Sequence, residues 1–190
     1  GRELGLEATG NAGNITVQGL ASPAQSVFVD GPGSGIFTDT QGTGAGGNIF
    51  VNANSVTLQN GGTLSAKTSG TEPTATGGTM NGFTMQNSAI TTEAGQGAGG
   101  GNIKVTTSPA ATVLLQDTSL ISASVADGRG GGGNISIDPQ FVVLQNSQIL
   151  ARAAEGQGGR ITIIANLFLP DANSLVNADS GSGVNGTVTI

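Results

Sequence analysis

Apolar residues fall in short alternating runs along this chain, and three kinds of run recur in a fixed order. The first is a phrase in which glycine precedes Asn-Ile-x-Val or Ile. It stands at Gly47-Asn48-Ile49-Phe50-Val51, Gly101-Asn102-Ile103-Lys104-Val105 and Gly133-Asn134-Ile135-Ser136-Ile137. Looser copies begin at Gly13, Gly78, Gly159 and Gly186. The second run reads Val-x-Leu-Gln-Asn, as in Val56-Thr57-Leu58-Gln59-Asn60 and Val142-Val143-Leu144-Gln145-Asn146, with variants at Phe83, Val113 and Leu167. The third follows a short polar turn, at Leu64-Ser65-Ala66, Ile90-Thr91-Thr92, Leu120-Ile121-Ser122-Ala123, Ile149-Leu150-Ala151 and Leu175-Val176-Asn177-Ala178.

Each run alternates and is rich in β-branched residues, which is strand patterning, and each is too short for a helix. Three strands recurring every few tens of residues mean stacked units, one domain over residues 1–190. The expected fold is therefore all-β, a parallel β-helix of roughly six to seven coils with three short strands per coil. Each strand pairs with its counterpart one coil away, and inward side chains stack in ladders. One expected ladder holds Ile15, Ile49, Ile103, Ile135 and Ile161. A second holds Val56, Phe83, Val113, Val142 and Leu167, and a third Leu58, Met85, Leu115, Leu144 and Leu169. The glutamines at 59, 86, 116 and 145 then point outward, and Asn60, Asn87, Asp117, Asn146 and Asp171 take the next turn. Asn and Asp suit that place because they tolerate left-handed backbone. Between Met80 and Phe83 the linking segment nearly vanishes, which predicts a merged or bent strand.

Composition narrows the picture. The chain has 34 glycines in 190 residues, clustered between apolar runs without an every-third-residue period, so it is not collagen-like. A net charge of −6, with scattered basic residues, argues against nucleic acid. The absence of cysteine removes disulfides and thiol chemistry. No apolar run approaches the roughly 20 residues that span a bilayer, so no membrane insertion is expected.

Gly-x-Gly-Ala-Gly-Gly-Asn-Ile (Gly42 to Ile49) and Val-x-Leu-Gln-Asn-Gly-Gly-x-Leu-Ser-Ala (Val56 to Ala66) carry a resemblance. They resemble the repeat region of filamentous-haemagglutinin-like bacterial exoproteins exported by two-partner secretion. The likeness extends over essentially the whole chain. It implies a right-handed helix, a secreted or cell-surface location, and a role in adhesion to host-cell, surface or matrix carbohydrate or protein.

Catalysis finds little support in the residues. The chain has no histidine, and its acids are spread out, mostly in loops. Asp117 and Asp171 share a ladder, two coils apart with Asn146 between, and make no facing pair. A polysaccharide-active enzyme is thus a distant alternative, and no catalytic, cofactor or metal residue is assigned. Gly130-Gly131-Gly132-Gly133-Asn134 lacks the Asp of calcium-binding β-rolls. The expected role is structural, a stiff extracellular rod displaying loops, with contact residues sought in 31–35, 68–77 and 94–100. Leu4 to Ala8 reads as a third strand, and residues 186–190 as the first strand of a new coil. Bare end coils expect partners, either the protein's own flanking coils or other copies end to end. Stacked copies would make a self-assembling filament, the main alternative to a rod segment.

Overall fold

A computed structural model describes residues 9–20, 23–69, 84–95, 97–106 and 111–190. Its strands, numbered in chain order, fall into three series. The first series is β1 (Ile15–Val17), β4 (Ile49–Val51), β9 (Ile103–Thr106), β12 (Asn134–Asp138), β15 (Arg160–Ile163) and β18 (Thr187–Thr189). The second is β2 (Val27–Asp30), β5 (Val56–Gln59), β7 (Thr84–Gln86), β10 (Thr112–Gln116), β13 (Phe141–Leu144) and β16 (Leu167–Pro170). The third is β3 (Gly35–Phe37), β6 (Thr63–Ser65), β8 (Ala89–Thr91), β11 (Leu120–Ser122), β14 (Gln148–Leu150) and β17 (Leu175–Asn177).

Every pairing is parallel and joins a strand to its counterpart in an adjacent coil. The second and third series each form one six-stranded sheet, while the first forms a pair (β1-β4) and a four-stranded sheet (β9-β12-β15-β18). The protein is an all-β parallel solenoid. Its six-stranded sheets make five coil-to-coil steps, hence about five turns and roughly 24 Å of axis. Counting phrases raises that number to six or seven because it treats the partial coils at either terminus as whole ones. Met80, Phe83 and Leu4 to Ala8 lie outside the described residues, as does the expected bent strand.

The core is a thin column of inward side chains. Ile49, Ile103, Ile135 and Ile161 are fully buried in the first series, and Leu58, Met85, Leu115 and Leu144 in the second. Leu64, Ile90, Ile121 and Ile149 close the triangle from the third. Each such side chain removed from water contributes about 1.5–3 kcal/mol. Ile15, in the outermost first-series strand, is half-buried, and Ile15 pairs with Ile49.

Leu167 and Leu169 do not occupy the ladder positions expected of them. In the register Val142 meets Phe168, Val143 meets Leu169 and Leu144 meets Pro170. Leu169 is therefore an outward residue, 49% exposed, and Phe168 packs on the core instead. The motif alignment was one residue out, and a one-residue slip turns every side chain of a strand to the other face. The constant link from Ile135 to Val142, repeated from Ile161 to Phe168, fixes the true register.

The glycine pairs are explained at the corner between the third and first strands. A Cβ on Gly47, Gly133, Gly159 or Gly186 would lie under 3.0 Å from a glycine carbonyl of the coil before, at Gly13, Gly101, Gly133 and Gly159 respectively. A Cβ on Gly46, Gly100, Gly132 or Gly158 would meet the carbonyl of Ala66, Ala123, Ala151 or Ala178 in the coil after. Backbone thus packs on backbone on both sides. Each corner is closed by one bond, with the glycine N–H just before the first-strand phrase donating to the carbonyl of the residue that follows the third strand. These are Gly47 to Thr38 (2.8 Å), Gly101 to Thr92 (2.9 Å), Gly133 to Ala123 (2.7 Å), Gly159 to Ala151 (2.7 Å) and Gly186 to Ala178 (2.9 Å).

Candidate functional site

The outward faces are what this molecule offers to a partner, and their chemistry follows from the register. On the second-series sheet the outward column runs Phe28, Thr57, Thr84, Leu114, Val143, Leu169. Beside it stand Asp30, Gln59, Gln86 and Gln116 in register. Gln116 Nε2 donates to Gln145 Oε1 at 2.6 Å, carrying the column one coil further. Gln86 Nε2 donates to Asp117 Oδ2 (2.8 Å) and Asn60 Nδ2 to Asp30 Oδ1 (2.8 Å), so amide donors face the carboxylates.

The turn after this sheet holds Asn60, Asn87, Asp117 and Asn146 at φ of 51°, 46°, 53° and 50°. All four adopt the left-handed conformation for which these residue types are suited. Asp171 does not join them. It follows Pro170, so its place is level with Gln145. Its carboxylate accepts from Ser174 Oγ (2.6 Å), Asn146 N (2.9 Å) and Asn173 N (3.1 Å). The Ser174 bond first, opposed by slight desolvation and aided by the backbone donors, holds its pKa below the usual carboxylate range.

The third-series face is more varied. Ser65, Thr91 and Ser122 line up along it and are buried although they point away from the core. Thr91 Oγ1 lies 3.5 Å from Ser65 Oγ, which donates to Asp39 Oδ1 at 2.6 Å. Lys67 and Glu93 form an ion pair of 3.1 Å one position further out. A groove of about 350 Å³ opens here, lined by Glu93, Ser122, Ser124, Leu150 and Arg152.

The glycine-rich loops behave differently from the expectation of free display. In 94–100, Ala94 and Ala98 are buried with Val125 in a small second cluster. Ala94 N donates to Ser124 O (3.1 Å) and Gly100 N to Gly131 O (2.9 Å). Single bridges continue the pairing from Thr40 through Thr68 and Ala94 to Val125. The described residues of this loop are laddered to the neighbouring coil instead of standing free. Segment 31–35 is a tight turn tied to the next coil by Gly31 N to Gln59 O (3.2 Å). Residues 70–77 lie outside the described residues.

Sequence reasoning missed a further amide ladder. Asn48 donates through its backbone N (2.8 Å) and Nδ2 (3.0 Å) to Asn14 Oδ1. Asn134 repeats both bonds on Asn102 Oδ1, at 3.3 and 3.0 Å. The signal was the Asn at one fixed place in four of the first phrases, at 14, 48, 102 and 134. Thr38 and Thr92, by contrast, stand in the column otherwise held by buried alanines, and their Oγ1 atoms have no partner among the described residues.

No family model, curated protein or solved structure matches this chain. Among the described residues no group of three or more acidic, histidine or cysteine side chains is placed to hold a metal ion. Nor, among the described residues, is any helix long and apolar enough to cross a membrane.

Proposed function

We propose that this chain is a structural segment of a secreted bacterial surface exoprotein, a stiff rod whose outward faces serve adhesion. The observation that supports this most is the corner geometry. Every described coil from Gly47 to Gly186 is closed by the same glycine N–H bond, with backbone packed on backbone. A stack built that way has little freedom to bend, as a spacer or stalk requires. The winding is inferred to be right-handed, because parallel strands joined by crossovers in one sheet take that hand almost always.

Adhesion itself is inferred from the outward chemistry. The second-series face offers apolar groups at Leu114 and Val143, and the third-series face offers Leu150 and Arg152 beside its groove, both on a rigid base. Their partners would be carbohydrate or protein of a host cell, surface or matrix. The test is retention of the labelled chain on arrays of glycans and extracellular-matrix proteins. Retention that falls when Leu114, Val143 and Arg152 are replaced by serine supports the reading. A folded chain retained nowhere above a denatured control contradicts adhesion.

A further inference from the structure

Two residues beyond each third-series strand stands a further outward column, Asp39, Lys67, Glu93, Ser124, Arg152 and Asp179. Backbone bonds and single bridges keep it in register from coil to coil, as in Thr68 N to Glu93 O (3.1 Å), Ala94 N to Ser124 O (3.1 Å) and Val125 N to Arg152 O (2.8 Å). Charges in adjacent coils are opposite in sign along it, except where the neutral Ser124 separates Glu93 from Arg152. The groove of about 350 Å³ opens at that gap.

The groups around the gap differ in how far they are satisfied. Glu93 is held by Lys67 at 3.1 Å. Asp179 accepts from Asn177 Nδ2 (2.8 Å), a bond within its own coil. The guanidinium of Arg152, exposed at the groove, has no acid within ion-pair distance among the described residues. The hydroxyls break at the same place. Thr91 Oγ1 bonds to Ser65 Oγ, which donates to Asp39 (2.6 Å). Ser122 and Ser124 accept from the backbone N–H groups of Ser124 (3.4 Å) and Arg152 (3.1 Å), and their own O–H groups have no acceptor among the described residues. Ser122 is only 1% exposed, so its proton is left for whatever fills the groove.

The backbone beside the groove is already paired, with Ala126 N on Ala94 O (3.2 Å), Ala153 N on Asp179 O (3.1 Å) and Gly181 N on Ala153 O (3.0 Å). A peptide therefore finds no edge to join as an added strand. Recognition falls to side chains. These are a planar cation that takes a carboxylate on two parallel bonds, two hydroxyl donors, the Glu93 carboxylate as acceptor, and the apolar Leu150. That set matches a sugar with an acid group. A polyanion is disfavoured, because Asp179 lies one strand spacing (about 5 Å) from Arg152 and Glu93 two spacings (about 10 Å).

We propose that the groove binds a saccharide bearing one carboxylate among neutral hydroxyls, with Arg152 on the carboxylate and Ser122, Ser124 and Glu93 on the hydroxyls. The proposal rests on the adhesive reading of the rod and names the glycan class that this groove takes.

NMR titration of the native chain with sialyllactose, a trisaccharide with a single carboxylate, tests it against lactose and heparin. Sialyllactose is expected to bind saturably. Lactose, and the variant Arg152→Gln with sialyllactose, should each bind at least about tenfold more weakly, the scale of lost hydrogen bonds to a charged group. Ser124→Asp completes the alternation and gives Arg152 an acid partner, so it should weaken binding to the same extent. Circular dichroism checks that both variants are folded. Sialyllactose bound no better than lactose, or equally well by either folded variant, would overturn the proposal, as would a preference for heparin. If the glycan and matrix arrays retain the chain while sialyllactose does not bind, this proposal fails and the adhesive reading stands. Retention nowhere, with no saccharide bound, overturns both.

Discussion

Two of the solenoid's three corners meet the same stacking demand in opposite ways. At the glycine corner, between third and first strands, coils touch backbone to backbone and any side chain is excluded on both sides. At the Asn corner, between second and third strands, the backbone turns through φ near +50° and the side chain points out to hydrogen-bond neighbours. The first corner depends on absent atoms and the second on a tolerated conformation. One is a steric constraint that no other residue type can satisfy. The other is a preference among several residue types, which is why Asn60, Asn87, Asp117 and Asn146 vary while the column of Gly13, Gly47, Gly101, Gly133, Gly159 and Gly186 does not.

The largest effect should come from filling the glycine corner. Gly133→Ala places a Cβ against the Gly101 carbonyl and the Gly100 backbone, and overpacking costs about 1–3 kcal/mol, and more where the obstacle is backbone, as it is here. A urea unfolding midpoint measures it. A loss below about 0.5 kcal/mol, the level of an ordinary surface change, would mean that the coils slide apart to admit side chains and that the contrast between corners is false.

Next in size is the second-series strand that leads into the Asn corner. Leu144→Ala removes a fully buried side chain and should cost about 2–5 kcal/mol. Leu169→Ala, at the outward position one coil on, should stay within about 0.5 kcal/mol. Equal losses would restore the register in which Leu169 belongs to the core.

At the Asn corner the effects should be smaller and should depend on conformation. Asn146→Ala forces a Cβ-bearing residue of poor left-handed tolerance into φ +50° and should cost about 1 kcal/mol. Asn146→Gly should be near neutral, because glycine adopts that backbone freely. Alanine tolerated as well as glycine would show that backbone conformation does not govern this turn.

The smallest effect concerns pH. Asp171 has a lowered folded pKa, so its contribution is present above its unfolded value and is lost as pH falls through the folded one. Stability should therefore decline as pH drops below the ordinary value near 3.8, and Asp171→Asn should flatten part of that decline. Midpoints taken from neutral pH to below that value would show it. Identical pH profiles for the two chains would remove Asp171 from the acid response.

Much of this architecture could be read from the chain, because period-2 alternation and recurring phrases survive without three-dimensional information. The inward Ile and Leu positions of the inner coils and the outward glutamines follow directly from that alternation. The register of β16 did not, since Leu167-Phe168-Leu169 is apolar at every position and hides its own phase. The glycine sandwich was invisible for another reason. It involves carbonyls of neighbouring coils, which sequence spacing alone does not bring together. The loop at 94–100 looked like a free loop because its glycines and alanines carry no pattern, yet Ala98 is fully buried. The groove beside Ser122 and Arg152 is lined from successive coils, by Glu93, Ser124, Leu150 and Gly181 among others, so it too needed the structure.

The parallel, in-register stacking of coils is tested most directly by cross-linking, since the chain has no cysteine of its own. Val143→Cys with Leu169→Cys pairs two outward residues that face each other across adjacent coils. Neighbouring strands lie about 4.8 Å apart, within disulfide reach. Mild oxidation should link this pair, as seen by peptide mapping without reductant, and should leave Val143→Cys with Phe168→Cys unlinked because their side chains point to opposite faces. Linkage of the 143 and 168 pair, with none between 143 and 169, would contradict both the register and the stack.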